Sequence, residues 1–241
     1  MKLVRYADRP DLRELRSETL SRRTFPEYMH HNQSGTRFWG RLYAEHPDFQ
    51  LALLDGDDLV AELHSVPTAW DGTAQDLPVG WDDAFARAFE SGREATVLCA
   101  LAISVSPDRQ GERLSSRMLN AMREAAGSAG LRELIAPVRP TRKAAYPLIP
   151  IERYVEWRRD DGAHFDPWLR IHERVGGEIF APAPESMVIE APAAEWEEWT
   201  GLALPEDGVY VVQGMLAPLE VRDGVGRHVE PNVWVRHDVL R

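Results

Sequence analysis

Residues 104–119, SVSPDRQGERLSSRML, lead from an apolar stretch through a polar turn into a helical pattern. The first N–H groups of a helix have no partner inside it and concentrate partial positive charge, so a strand that turns tightly into a helix binds phosphate with its backbone alone. Neither the dinucleotide pattern G-x-G-x-x-G nor the P-loop G-x-x-x-x-G-K-[ST] occurs in the chain, which points to another class of phosphate-bearing ligand. Arg113 faces the positive end of the helix dipole, and its charge is repeated one turn later at Arg117. A bound anion relieves both; partial neutralisation by Glu112, or an arginine pointing into water, accounts for them without a ligand. Position 113 is not expected to require a positive φ, so an arginine there costs space rather than backbone geometry.

Three other groups have chemical potential. RPTRK, residues 139–143, gathers Arg139, Arg142 and Lys143 in an acidic chain, as either a phosphate contact or a solvated basic loop. His30 and His31 are adjacent and have no third ligand nearby, so a polar loop is preferred to a metal site and no metal is expected. Cys99 lies within an apolar run, where a thiol is core rather than nucleophile.

The elements that position these residues are legible in outline. KLVRY (2–6) reads as a strand, and DRPDLRELRSETLSR as an amphipathic helix on Leu12, Leu15 and Leu20. Residues 24–45 read as two short helices around the polar HHNQSG. Asp55-Gly56-Asp57-Asp58 between two apolar runs predicts a hairpin, and a helix is expected over Trp81 to Glu90. ATVLCALAISV (95–105) carries no charge, as a strand covered on both faces does. Leu114, Met118, Leu119, Met122, Ala125 and Ala126 trace one helical face, with Gly127 as the stop. LRELIAPV (131–138) completes a strand–loop–helix–strand unit with parallel strands. DPWLRIHERVGG then predicts a helix closed by Gly176-Gly177 and leading into a strand, and residues 191–241 read as a β-containing extension.

The buried strand, VSPDRQGERLSSRML, the next strand and the helix with HERVGG together resemble the GNAT superfamily of acyl-CoA-dependent acyltransferases, over about residues 1–190. The resemblance implies a mixed α/β fold, a central mixed sheet flanked by helices. It implies that the pyrophosphate loop, Q/R-x-x-G-x-G/A in the family, falls on Gln110, Gly111, Glu112, Arg113, Leu114 and Ser115, with Ser116 next to it also at the cofactor. Arg113 then replaces the first glycine and Ser115 the Gly/Ala. It further implies that Ile103, Ser104 and Val105 offer backbone groups to the pantetheine arm, and that Arg139 lies near the coenzyme A phosphates. The acceptor walls would come from the N-terminal helices and the 139–166 loop. Where the family often has Tyr in Y-x-x-x-G-F as the acid for the departing thiolate, this chain has His172, with Gly177 in place of Phe. An imidazole able to donate near neutral pH is one reading, and a half-buried structural histidine the other. Tyr146 and Tyr154 are reserve acids. For a general base, Glu62 and His64 are candidates, of which at most one is expected to face the cleft.

Bulk properties narrow the class. The chain has 241 residues, with 28 Lys plus Arg against 39 Asp plus Glu, a net charge of −11 that disfavours nucleic acid and anionic lipid. The single cysteine excludes an internal disulfide and fits a cytoplasmic setting, and no run of about 18 apolar residues suggests a membrane span. The expected protein is an N-acyltransferase moving an acetyl or other acyl group from acyl-CoA to a small-molecule amine, with a non-catalytic acyl-CoA-binding domain as the alternative. Trp196, Trp199 and Trp234 leave open a partner-binding or homodimerisation role for residues 191–241, intramolecular packing being preferred.

Overall fold

The charge-free segment becomes β4 (Val97–Val105), central in a nine-stranded sheet of the computed structural model, which describes residues 1–16 and 20–240. Its alternate side chains enter two different cores. Val97, Cys99 and Leu101 join the aromatic core on one face, while Leu98, Ala100, Ile103 and Val105 meet a helix-covered core on the other. Burial on both faces is why the strand carries no charge.

Around it the sheet runs in the order β1 (Lys2–Arg5), β2 (Gln50–Asp55), β3 (Asp58–Thr68), β4, β5 (Glu133–Val138), β9 (Val225–Asp238), β8 (Leu219–Arg222), β7 (Gly208–Tyr210). The long β6 (Glu178–Pro192) pairs with the other edge of β9. The Asp-Gly hairpin forms as expected, with Gly56 at φ 64 in the turn between β2 and β3. Strands β4 and β5 are parallel and every other named pair is antiparallel. This is the mixed α/β architecture that the resemblance implies.

The helices follow their apolar stripes. The first expected helix is represented by α1 (Leu12–Arg16) and α2 (Arg22–Thr24), with residues 17–19 of that stretch outside the described residues. A 3₁₀ turn over 27–31 and α3 (Gln33–Glu45) follow, divided at Asn32, whose side chain accepts from Gly35 N–H as an N-cap. Then come α4 (Trp81–Glu90), α5 (Leu114–Ser128), α6 (Ile151–Tyr154), α7 (Pro167–Arg174) and α8 (Ala193–Thr200). In α7, Asp166 caps the N–H groups of Trp168 and Leu169, with Pro167 in the first turn.

Gly127 does not stop α5. It lies inside the helix, where a Cβ would come within 2.2 Å of Leu240 O, and the left-handed residue that ends the turn is Gly130, at φ 73. The glycine at 127 therefore serves the close passage of the C-terminal segment. Residues 191–241 supply α8, β7, β8 and β9, and β9 pairs with β5 at the centre of the sheet. Position 190 lies inside β6. Trp196 and Trp234 are fully buried within the chain, the Trp196 indole donating to Gly226 O.

Candidate active site

Strands β4 and β5 pair only at Leu98↔Leu134 and Cys99↔Ile135, and beyond that point they part. Ser106 N–H donates to Val60 O, so by the alternation of backbone groups Ser104 also faces β3, whereas Ile103 and Val105 turn theirs to the opening on the β5 side. Of the three residues expected to meet an extended ligand through backbone groups, two therefore present them there and one does not. Ser104 is buried, and its Oγ has no protein partner. At the root of the opening the Trp81 indole donates to Leu101 O, 2.9 Å.

The opening leads into a cavity of about 320 Å³. Ala100–Ile103 of β4 and Ala136–Val138 of β5 form its sides, with Arg139 just past β5; Leu119 of α5 borders it, and Trp39, Trp81, Phe25 and Met29 contribute aromatic and apolar walls. From the 139–166 loop only Arg139 reaches the lining; Trp168 and His172 of α7 do more of that work than the loop expected to supply it. No carboxylate side chain lines the cavity among the described residues.

His172 is a wall residue, 2% exposed, set on the inward stripe of α7 beside Trp168, whose ring lies 4.5 Å away edge-on. Its Nδ1 is 2.9 Å from His237 Nε2 on β9, and its own Nε2 has no protein partner. Burial, then the neighbouring His237, pushes the His172 pKa down to about 3. Of the two readings of His172, an imidazolium acid near neutral pH is disfavoured: with its pKa depressed the ring is neutral, and what it offers is a neutral N–H or a lone pair.

The loop before α5 has the properties of an anion cradle. Gly111 has φ 89 and Arg113 φ 60 as the helix N-cap, so position 113 does require the left-handed region, contrary to the sequence expectation. No N–H from 111 to 116 donates to a protein acceptor among the described residues, those of 114–116 being the open groups of the first helical turn. Gln110, Gly111, Glu112 and Arg113 are exposed, and Leu114 is buried in the core. Glu112 neutralises Arg109, which also binds Asp55, rather than Arg113 or Arg117. The row of free N–H groups fits a diphosphate, and the opening between β4 and β5 fits an extended arm reaching the cavity.

Arg139 is placed differently from expectation. It points beneath the sheet, donating to the buried Glu230 carboxylate, to Tyr28 Oη at 3.2 Å and to Gly214 O at 2.7 Å. Glu230 also meets His228 Nε2 at 2.7 Å, and its pKa is held below the usual carboxylate range against desolvation by Arg139 and then His228. A guanidinium engaged this way belongs to the cavity wall rather than to a phosphate at the surface.

The remaining candidates lie off the cavity. Glu62 and His64 are two apart on β3 and so share a face rather than projecting to opposite ones, and neither of them faces the cavity. Both are buried in a chain in which Tyr6 Oη donates to Glu62 Oε2 (2.7 Å), His64 Nε2 meets the same oxygen (3.1 Å), and His64 Nδ1 meets Gln50 Oε1 (3.0 Å). Trp39 stands between this chain and the cavity, 5.0 Å from the His64 ring. Tyr146 packs edge-on against Trp157 at 4.9 Å, and Tyr154 donates to Asp166. Neither lines the cavity. Cys99 is buried, with its thiol pKa pushed up by desolvation. His30 lines the cavity, His31 stacks on Trp199 at 4.1 Å, and no cluster of three metal-ligating side chains occurs among the described residues.

Sequence reasoning missed His237, Asn232 and the tryptophans Trp39, Trp81 and Trp168. His237 had only a strand alternation to signal it, and the tryptophans read as ordinary core.

No family model matches the chain. Among curated proteins it is 31% identical to the arginine N-acetyltransferase avaD of Aspergillus versicolor, over 89% of this chain and 85% of that protein. Among solved structures, the GphF GNAT-like decarboxylase in complex with isobutyryl-CoA superposes with a TM-score of 0.63 at 19% identity, covering 99% of each chain. The loading GNATL domain of CurA from Lyngbya majuscula superposes with a TM-score of 0.58, also at 19% identity, covering 98% of this chain and 96% of that one.

Proposed function

The chain belongs to the GNAT superfamily of acyl-CoA-dependent N-acyltransferases, and from that premise we propose that it transfers an acetyl group from acetyl-CoA to a nitrogen of arginine or of a closely similar small cationic molecule. The observation that carries this reading is the parting of β4 and β5 after Cys99↔Ile135, which opens a strand edge into an aromatic cavity.

Acetyl-CoA supplies an activated carbonyl and a thiolate leaving group. Its diphosphate would be held by the N–H groups of 111–116, and its pantetheine amides by the β5-facing backbone groups of Ile103 and Val105. With its proton on Nε2, which has no protein partner, His172 would donate to the charge that develops on the thioester oxygen. An amine must lose a proton to attack, and desolvation in an apolar cavity favours the neutral form. A cationic remainder of the acceptor has no carboxylate to meet here; the faces of Trp39, Trp81 and Phe25 offer cation–π contacts of about 0.5–2 kcal/mol each.

Purified protein incubated with acetyl-CoA and arginine should liberate thiol. His172→Ala should lower kcat at least tenfold while the KM for acetyl-CoA stays within about twofold. Unchanged kcat would remove His172 from the reaction, and absence of thiol release with a panel of amines would return the chain to an acyl-CoA-binding role.

A further inference from the structure

Two buried nitrogens lack partners: Nε2 of His172, at the cavity wall, and Nδ1 of His237, behind it. The nitrogens between them, His172 Nδ1 and His237 Nε2, are 2.9 Å apart, with ring centroids 5.1 Å apart. Burial drives both rings to their neutral forms, His172 to about 3 and His237 to about 4, where Arg123 adds to the effect and Asp238 opposes it. A hydrogen bond between two neutral imidazoles needs one N–H, and that choice fixes both tautomers.

In one arrangement His237 Nε2–H donates, so His172 carries its proton on Nε2 and His237 Nδ1 is a bare lone pair. In the other, His172 Nδ1–H donates, and the unpaired N–H falls on His237 Nδ1. A buried N–H without an acceptor costs more than a buried lone pair. His172 lines the cavity, where water or substrate can accept its proton, and His237 does not. The first arrangement therefore places the unpaired donor where a partner can reach it.

We propose that His237 is a positioning residue for acyl transfer: its Nε2–H donates to His172 Nδ1 and holds His172 as the tautomer with its proton on Nε2, at the cavity wall. This rests on the reading of the cavity as the acyl-transfer site. The C–N bond forms as the C–S bond breaks, the proton lost by the amine ends on the thiolate through water, and His172 donates a hydrogen bond while keeping its own proton. Gly177 makes the pairing sterically feasible. A Cβ there would lie 2.4 Å from His237 Cε1 and 2.9 Å from Nε2, while the Gly177 N–H donates to His172 O at 2.8 Å. The glycine that stands in place of the family's Phe thus admits the second imidazole.

The test is ¹⁵N NMR of the histidine rings in the full-length wild-type protein, with His172 assigned from the signals lost in His172→Phe. The expected result is a protonated Nε2 and an unprotonated Nδ1 on His172; the opposite tautomer overturns the proposal. His237→Phe should lower kcat at least tenfold with the KM for acetyl-CoA within twofold. His237→Gln, whose amide N–H can take the place of Nε2–H, should recover most of that loss. Equal kcat in wild type and His237→Phe also overturns it. If the wild-type rings show the expected tautomer and no amine is acetylated, the activity reading fails and takes the positioning role with it, while the tautomer of the His172–His237 pair stands.

Discussion

Arg139 illustrates what a single residue's surroundings decide. Its neighbours in sequence, Arg142 and Lys143, made it look like part of a basic surface, yet Glu230, ninety-one positions away, takes its charge into the cavity wall. Removing one partner of such a pair strands the other as a buried ion, at a cost of about 3–5 kcal/mol. Arg139→Met should therefore destabilise the fold by about that much, read from urea denaturation, and Arg139→Met with Glu230→Leu should recover part of it. His172 was legible because its spacing to Gly176 matches a known pattern; its neutral state was not, since that depends on burial against Trp168 and His237 from elsewhere in the chain. Tyr146 and His64 carry the right chemistry and sit in the wrong place, one in an aromatic cluster and the other behind Trp39.

At the scale of elements, local signals were read well where they are local. The Asp-Gly hairpin, the charge-free central strand and the apolar stripe of α5 each follow from a few adjacent residues. The N-terminus of α5 was read in part. The turn was recognised, but the left-handed backbone at Arg113 depends on how Gly111 and Leu114 fix the chain on either side. A non-glycine residue in that region carries a strain of roughly 1–2 kcal/mol. Arg113→Gly should stabilise the protein by about 0.5–1 kcal/mol after the entropy of the more flexible unfolded chain is counted. Coenzyme A titration of the same variant separates the two readings of the side chain: weaker binding means that the guanidinium contacts phosphate, and equal or tighter binding that it occupies space.

For the whole molecule, the two buried histidines set an acid limit. Their folded pKa values, about 3 and about 4, lie below the unfolded value of 6.5. The unfolded chain therefore binds more protons between about pH 4 and 6.5, and stability present above pH 6.5 is lost as pH falls through that window. Each histidine contributes at most about 1.4 kcal/mol per pH unit. The urea midpoint should be lower at pH 5 than at pH 7, and the difference should shrink in His172→Phe. Excess acetyl-CoA should raise the melting temperature of wild type at pH 7, since a ligand selective for the folded state stabilises it.

Strand β9 brings Asn232 to the cavity wall and sets Glu230 and His237 behind it, against Arg139 and His172, while the other wall residues come from positions 21–187. During synthesis the earlier strands can pair as they emerge, but the gap between β4 and β5 has no finished floor until residue 238 is free of the ribosome. A growing chain can therefore fold in part while the cavity beside its parted strands is still incomplete, and the site is finished only once β9 has emerged.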